Sequence, residues 1–95
     1  MDASAKQVAV IVGPRIRRIR RGLDMSQENL ADNAQIHRTQ ITAIEWGEQL
    51  PRIDTLIRLA GGLGVSPCVL IDGLAWEVRG SRPGRIVEVG RHADG

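Results

Sequence analysis

Twelve of the chain's thirteen basic residues are arginines, and five of them fall between Arg15 and Arg21. A guanidinium is a planar fork of donors that fits both phosphate oxygens and the acceptor edge of guanine. The same run also fits a bland reading, a solvated helix face with no ligand. A second group of polar residues lies in His37-Arg38-Thr39-Gln40-Ile41-Thr42-Ala43-Ile44-Glu45-Trp46. On a helical wheel with Ile41 pointing inward, Ile44 and Glu45 lie about 60° and 40° to either side. Thr39 and Ala43 then point outward, flanked by Gln40, Thr42 and Trp46, while Arg38 in the first turn can swing outward. An outer face of small residues lets a helix enter a groove closely, and the polar residues around it supply hydrogen bonds. Catalytic chemistry has little to work with: there are two histidines, one cysteine and no paired carboxylates in a cleft-forming context. We therefore expect no enzyme activity. Cys68 alone forms neither a disulfide framework nor a thiolate cluster, so no metal or cofactor is expected either.

The elements that must position these residues read as helices. Val12, Ile16, Ile19 and Leu23 share one face, with Arg15, Arg17, Arg18 and Arg21 pointing away. This first helix ends at Gly22. Its start is open: Ser4 is a cap for a helix from Ala5, but Gly13-Pro14 interrupts the pattern, and Pro14 suits a first turn equally well. Ser26 is an N-cap for a second helix carrying Leu30, Ala31 and Ala34. His37 or Arg38 opens the third, which runs to about Trp46 with Gly47 as its stop. A fourth follows Leu50-Pro51 with the face Ile53, Leu56, Ile57, Ala60 and Leu63, ending in the glycines around Leu63. Ser66-Pro67 starts a fifth, through Val69, Leu70 and Ile71 to about Asp72.

A chain of 95 residues, 42% hydrophobic and 25% charged, is one globular domain by size and composition. With no Phe or Tyr and only two Trp, its core of Ile, Leu, Val and Ala suits packed helices. The fold class is all-α: five compact helices over residues 13–72. Residues 1–12 form an N-terminal arm or an extension of the first helix. Residues 73–95 form either a dimerising β-hairpin, from the weak alternation in 76–79 and 85–89, or a flexible tail. The longest apolar run, Val8 to Val12, is far short of the roughly 20 residues of a membrane span, so a cytoplasmic, nucleoid-associated protein with no membrane partner is expected.

Gln27, Leu30-Ala31, Ala34, Ile36, Ile41, Ile44-Glu45 and Gly47 stand at the spacing of the helix-turn-helix in phage-repressor-like (Cro/C1, or XRE-type) DNA-binding domains. The chain resembles that family further at Ile16-Arg17, Arg20, Pro51, Thr55-Leu56, Leu59-Ala60, Leu63-Gly64-Val65 and Leu70. The resemblance implies that the third helix lies in the major groove of double-stranded DNA. Arg38, Thr39, Thr42 and Ala43 are then base-facing. Gln27, His37, Gln40, Arg17 and Arg52 become phosphate contacts, and Arg20 and Glu45 a structural salt bridge. Blander roles stay open for three of these: Gln27 as a first-turn residue, His37 as an N-cap, and Thr42 as idle surface. Two positions depart from the family's pattern. Gln35 stands where many members have glycine, and Trp46 where a polar or basic residue is usual.

The implied protein is a homodimeric regulator, an autorepressor on a palindromic operator, with a dimer surface at Leu70, Ile71, Leu74 and Trp76. Its size suits a restriction–modification controller, a phage-type repressor or an antitoxin-like autoregulator. The competing reading keeps the fold but makes it a protein-interaction module, such as an antitoxin holding a toxin.

Overall fold

The computed structural model describes residues 1–90. Five helices are followed by a hairpin: α1 (Ala3–Gly22), α2 (Gln27–Ala34), α3 (Arg38–Glu45), α4 (Ile53–Leu63), α5 (Pro67–Ile71), β1 (Leu74–Arg79) and β2 (Arg82–Glu88). The core is aliphatic throughout. Val12 and Ile16 from α1 meet Leu30, Ala31 and Ala34 from α2, Ile41 and Ile44 from α3, Leu56, Leu59 and Leu63 from α4, and Leu70 from α5.

Helix α1 is continuous, so residues 3–12 extend the first helix instead of forming a separate arm. Asp2 is its N-cap, accepting a hydrogen bond from the backbone N–H of Ala5 at 2.8 Å. The Gly13-Pro14 interruption expected from sequence is absent, and packing explains why. A Cβ on Gly13 would run into the backbone carbonyl of Ile44 and come within 3.0 Å of that of Glu45. The glycine is thus a point of close helix approach. Pro14 leaves the carbonyl of Val10 without its helical donor, but both residues are exposed, where solvent can take over that bond. Gly62 plays a similar part inside α4, since a side chain there would press on Leu30, Asn33 and Ala34 of α2.

Three of the positions expected on apolar faces are exposed: Leu23, the C-cap residue of α1, at 51%, and two in α4. Ile53 is 70% and Ile57 52% exposed, whereas Thr55, Leu56, Leu59, Ala60 and Leu63 are buried. Ile57 stands about 100° round the helix from Leu56, and Ile53 lies in the first turn.

The hairpin reading of the C-terminal extension holds as far as Glu88, and residues 91 to 95 of that extension lie outside the described residues. The strands are antiparallel, with Leu74 opposite Glu88, Trp76 opposite Ile86, and an irregularity between Glu77 and Arg79. Glu77 and Arg85 pair across the strands at 2.6 Å. The indole of Trp76 lies across Gly84, where any Cβ would collide with the ring. The fold is thus mostly helical with a small two-stranded sheet, the hairpin alternative of the sequence reading.

Arg15, expected on the solvated face of α1, is buried instead. Its guanidinium donates to the carbonyl oxygens of Leu70 at 3.3 Å and Asp72 at 2.7 Å, and to Glu88 at 2.9 Å. It therefore ties α1 to the end of α5 and to β2. Gln7 adds a second tie, its side-chain oxygen accepting from the N–H of Ile86 at 2.9 Å. Arg15→Ala would leave two carbonyls without this donor and release the hairpin. We expect a loss of about 2–3 kcal/mol, measured by urea unfolding, with a matching change in the fluorescence of Trp76.

Candidate nucleic-acid interface

The second and third helices are built by local rules. The Ser26 hydroxyl accepts from the N–H of Asn29 at 3.0 Å and starts α2. Gln35 ends it in the left-handed conformation (φ 58°, ψ 49°), with Ile36 N–H returning to the carbonyl of Ala31 at 3.1 Å. The residue that stands in place of glycine thus takes up the glycine-type conformation, at a cost of about 1 kcal/mol. His37 is the N-cap of α3, but its side chain makes no capping hydrogen bond.

Helix α3 has two different sides. Ile41, Ile44 and Glu45 are buried, while Arg38 and Thr39 are exposed and Gln40, Thr42 and Ala43 are half-buried. Glu45 is held by Arg20 of α1 in a two-pronged contact: Nε to Oε2 at 2.7 Å and Nη2 to Oε1 at 3.0 Å. The third prong, Nη1, donates to the carbonyl of Met25 at 2.7 Å, in the loop before α2. The hydrogen bonds to Glu45 raise the Arg20 guanidinium pKa above its ordinary value, outweighing the opposing effect of burial. A raised pKa on a cation means stability complete at neutral pH and lost only in strongly alkaline solution.

The network continues outward. Gln27 Nε2 donates to Glu45 Oε1 at 3.2 Å, and the Thr42 hydroxyl donates toward Gln27 Oε1 at 3.1 Å. The Gln27 side chain is therefore engaged within the chain at both ends.

Arg38 lies 3.7 Å from Glu28, with both side chains exposed, so the contact is weak and readily exchanged for a ligand. Arg52 stands 3.4 Å from Asp54 at the start of α4, again with both side chains exposed. Arg17 lies over the ring of Trp46, 5.4 Å from its centroid, joining α1 to the end of α3. This cation–π contact leaves the in-plane N–H groups of Arg17 directed elsewhere. Residues 29 apart in sequence gave no signal of it.

Of the residues expected at a dimer surface, Ile71 and Trp76 are exposed (44% and 56%), and Leu74 is half-buried against the core. Leu70 is corrected: it is 0% exposed in its own chain, and a side chain spent on the core has no surface to give to a partner.

Comparison with known proteins agrees with this architecture. The helix-turn-helix family model matches residues 16–70, more than half of the chain. The chain belongs to the XRE-type helix-turn-helix family. Control protein C.BamHI of Bacillus amyloliquefaciens is 36% identical over 66 residues, covering 68% of this chain and 82% of that protein. The restriction–modification controller C.AhdI from Aeromonas hydrophila superimposes with a TM-score of 0.64 at 29% identity, over 65% of this chain and 94% of that one. The wild-type controller C.Esp1396I gives a TM-score of 0.63 at 33% identity, over 67% and 83%. The residues matched by the family model, 16–70, run from α1 into α5. Among the described residues no helix is long and apolar enough to cross a membrane, and no cluster of metal-ligating side chains is present.

The buried ion pair allows a direct test. Arg20→Met alone strands the Glu45 carboxylate in the core and is expected to cost about 3–5 kcal/mol. The double variant Arg20→Met/Glu45→Leu recovers much of that loss, as read by urea unfolding of all four members of the cycle.

Proposed function

We propose that this chain is a homodimeric, sequence-specific transcription regulator of the restriction–modification controller kind, acting as an autorepressor, with α3 as its recognition helix. The observation that carries the reading is the two-sidedness of α3. Its inner side is locked by Ile41, Ile44 and the Arg20–Glu45 pair, while Arg38 and Thr39 stand exposed on the other. The controller proteins similar to this chain over most of their own length support the same reading.

In this reading α3 lies in the major groove with Arg38, Thr39, Thr42 and Ala43 against base edges. Arg38 supplies a bidentate contact to guanine. Phosphate contacts come from Arg17, Arg52, His37 and Gln40. Gln27, its side chain occupied, contributes through the start of α2, where helix N–H groups favour an anion. Stacking on Trp46 holds Arg17 by the face of its guanidinium and leaves the in-plane N–H groups to a phosphate.

One recognition helix reads few base pairs, so two copies act on a palindromic operator, their half-sites about 34 Å apart. The dimer face is drawn from α5 and the hairpin, where Val69, Ile71, Trp76 and Val78 remain exposed. Control follows from the amount of protein.

A gel-shift series on the DNA upstream of the chain's own gene, run across salt concentrations beside random DNA, tests the reading. Arg38→Ala is expected to lose about 1–3 kcal/mol of discrimination at one base pair. Arg17→Ala should weaken all DNA alike and reduce the salt slope by about one. Equal retention of operator and random DNA by the unmodified protein would sink the reading and favour a protein-binding module.

A further inference from the structure

The hydrogen-bond chain that starts at the buried ion pair has a direction, and the direction determines what Thr42 can offer to a base. Arginine has only donors and an ionised carboxylate only acceptors, so every bond between Arg20 and Glu45 runs toward Glu45. Glu45 Oε1 also receives Gln27, 3.2 Å away, and only the amide nitrogen of Gln27 can donate to it. The flipped amide would place an oxygen against a carboxylate oxygen, so the orientation of Gln27 is settled by the charge of Glu45. The Gln27 carbonyl is thereby turned toward Thr42, 3.1 Å from its hydroxyl. The second neighbour of that hydroxyl, the carbonyl oxygen of Arg38, is also 3.1 Å away. Both are pure acceptors. The single hydroxyl proton of Thr42 is therefore held inside the protein whichever of them receives it.

We propose that Thr42 is a specificity-determining residue that presents only a hydrogen-bond acceptor to the major groove and so selects an amino base, adenine or cytosine, on the strand it faces. Adenine N6 and cytosine N4 are the major-groove donors; guanine O6 and thymine O4 are acceptors. A keto base at this position would set two oxygens against each other with no proton between them. A freely rotating hydroxyl would tolerate all four bases. Arg20, Glu45 and Gln27 touch no base in this scheme; they are positioning residues. The proposal rests on the placement of α3 in the major groove and adds the chemical class of base read by one of its side chains.

The test is selection of binding sites from random duplex DNA with the full-length chain, followed by the same selection with Thr42→Val and Thr42→Ser. Both variants keep the shape of the exposed helix closely enough for far-UV circular dichroism to verify their fold. The wild type should enrich a motif with one position restricted to adenine or cytosine. Thr42→Ser keeps that restriction, and Thr42→Val, equal in shape but without the oxygen, loses it. On the selected site, removing the amino group of the adenine (or of the cytosine) should weaken the wild type about fivefold and leave Thr42→Val unaffected, the effect of one hydrogen bond. Enrichment of guanine or thymine at the Thr42-dependent position overturns the proposal. So does an unchanged motif for Thr42→Val, or loss of the restriction in Thr42→Ser, which would make the methyl group the feature read. Failure of the wild type to enrich any motif is a different result: it refutes the DNA-reading role itself.

Discussion

Glu45 puts a negative charge on the buried side of α3 beside Ile41 and Ile44, where leaving the carboxylate unpaired would cost about 3–5 kcal/mol, a large share of what holds a small domain together. It is tolerated only because Arg20 meets it with two donors, and that requirement fixes much else. Arg20 leaves α1 at a set angle to reach α3, and its third donor draws in the carbonyl of Met25, which fixes where the chain enters α2. Gly13 removes the side chain that would otherwise hold α1 and α3 apart at the backbone of Ile44 and Glu45. The register of α3 against α1 is thus determined by one ion pair and one missing Cβ. A hydrophobic replacement of the pair could stabilise the domain equally well. It would not orient Gln27, and through it Thr42, because apolar contacts carry no direction of donation.

The second organising contact lies further back along α1, at Arg15. Arg15 collects acceptors from α5, from the residue that follows it, and from β2. Five-residue α5 is too short to be stable alone, and a two-stranded hairpin is marginal in water. Packed against the long α1 through Arg15 and Gln7, they become part of the domain. Trp76 across Gly84 stiffens the hairpin from within. The consequence for function is geometric: whatever the hairpin and α5 bind, their position is passed along α1 to α3, since α1 contacts both.

The helical domain was readable from sequence because its signals are local. Ser26 and Ser66 are capping residues in place, Gly64 takes the left-handed conformation that ends α4, and the buried faces of α2 and α3 follow the helical period. The misreadings share one cause. Gly13-Pro14 is a break by local rules and a packing device by tertiary ones. Arg15 reads as solvated because its three acceptors lie 55 to 73 residues further on. Ile53 and Ile57 fit the apolar period of α4, but the period cannot say how wide a stripe its neighbours cover. At the candidate site the exposed side of α3 followed from the wheel. The committed state of Gln27 and the stacking of Arg17 on Trp46 did not, since each depends on how two separate helices meet.

Gln35 shows how these constraints combine. Left-handed backbone at a residue with a side chain is unfavourable by about 1 kcal/mol, and a local account would move the turn to avoid it. Moving the turn would displace α3 relative to α2, and so pull Glu45 from Arg20 and the backbone of Ile44 from Gly13. The penalty for that displacement includes an unpaired buried charge, several times larger than the backbone strain. The strained conformation is therefore the cheaper of the two, and it is further held by the Ile36 N–H on Ala31 and by Arg58 Nη1, 3.4 Å from the Gln35 carbonyl. The turn keeps its family shape without the family's glycine because the contacts on either side of it leave no room for another.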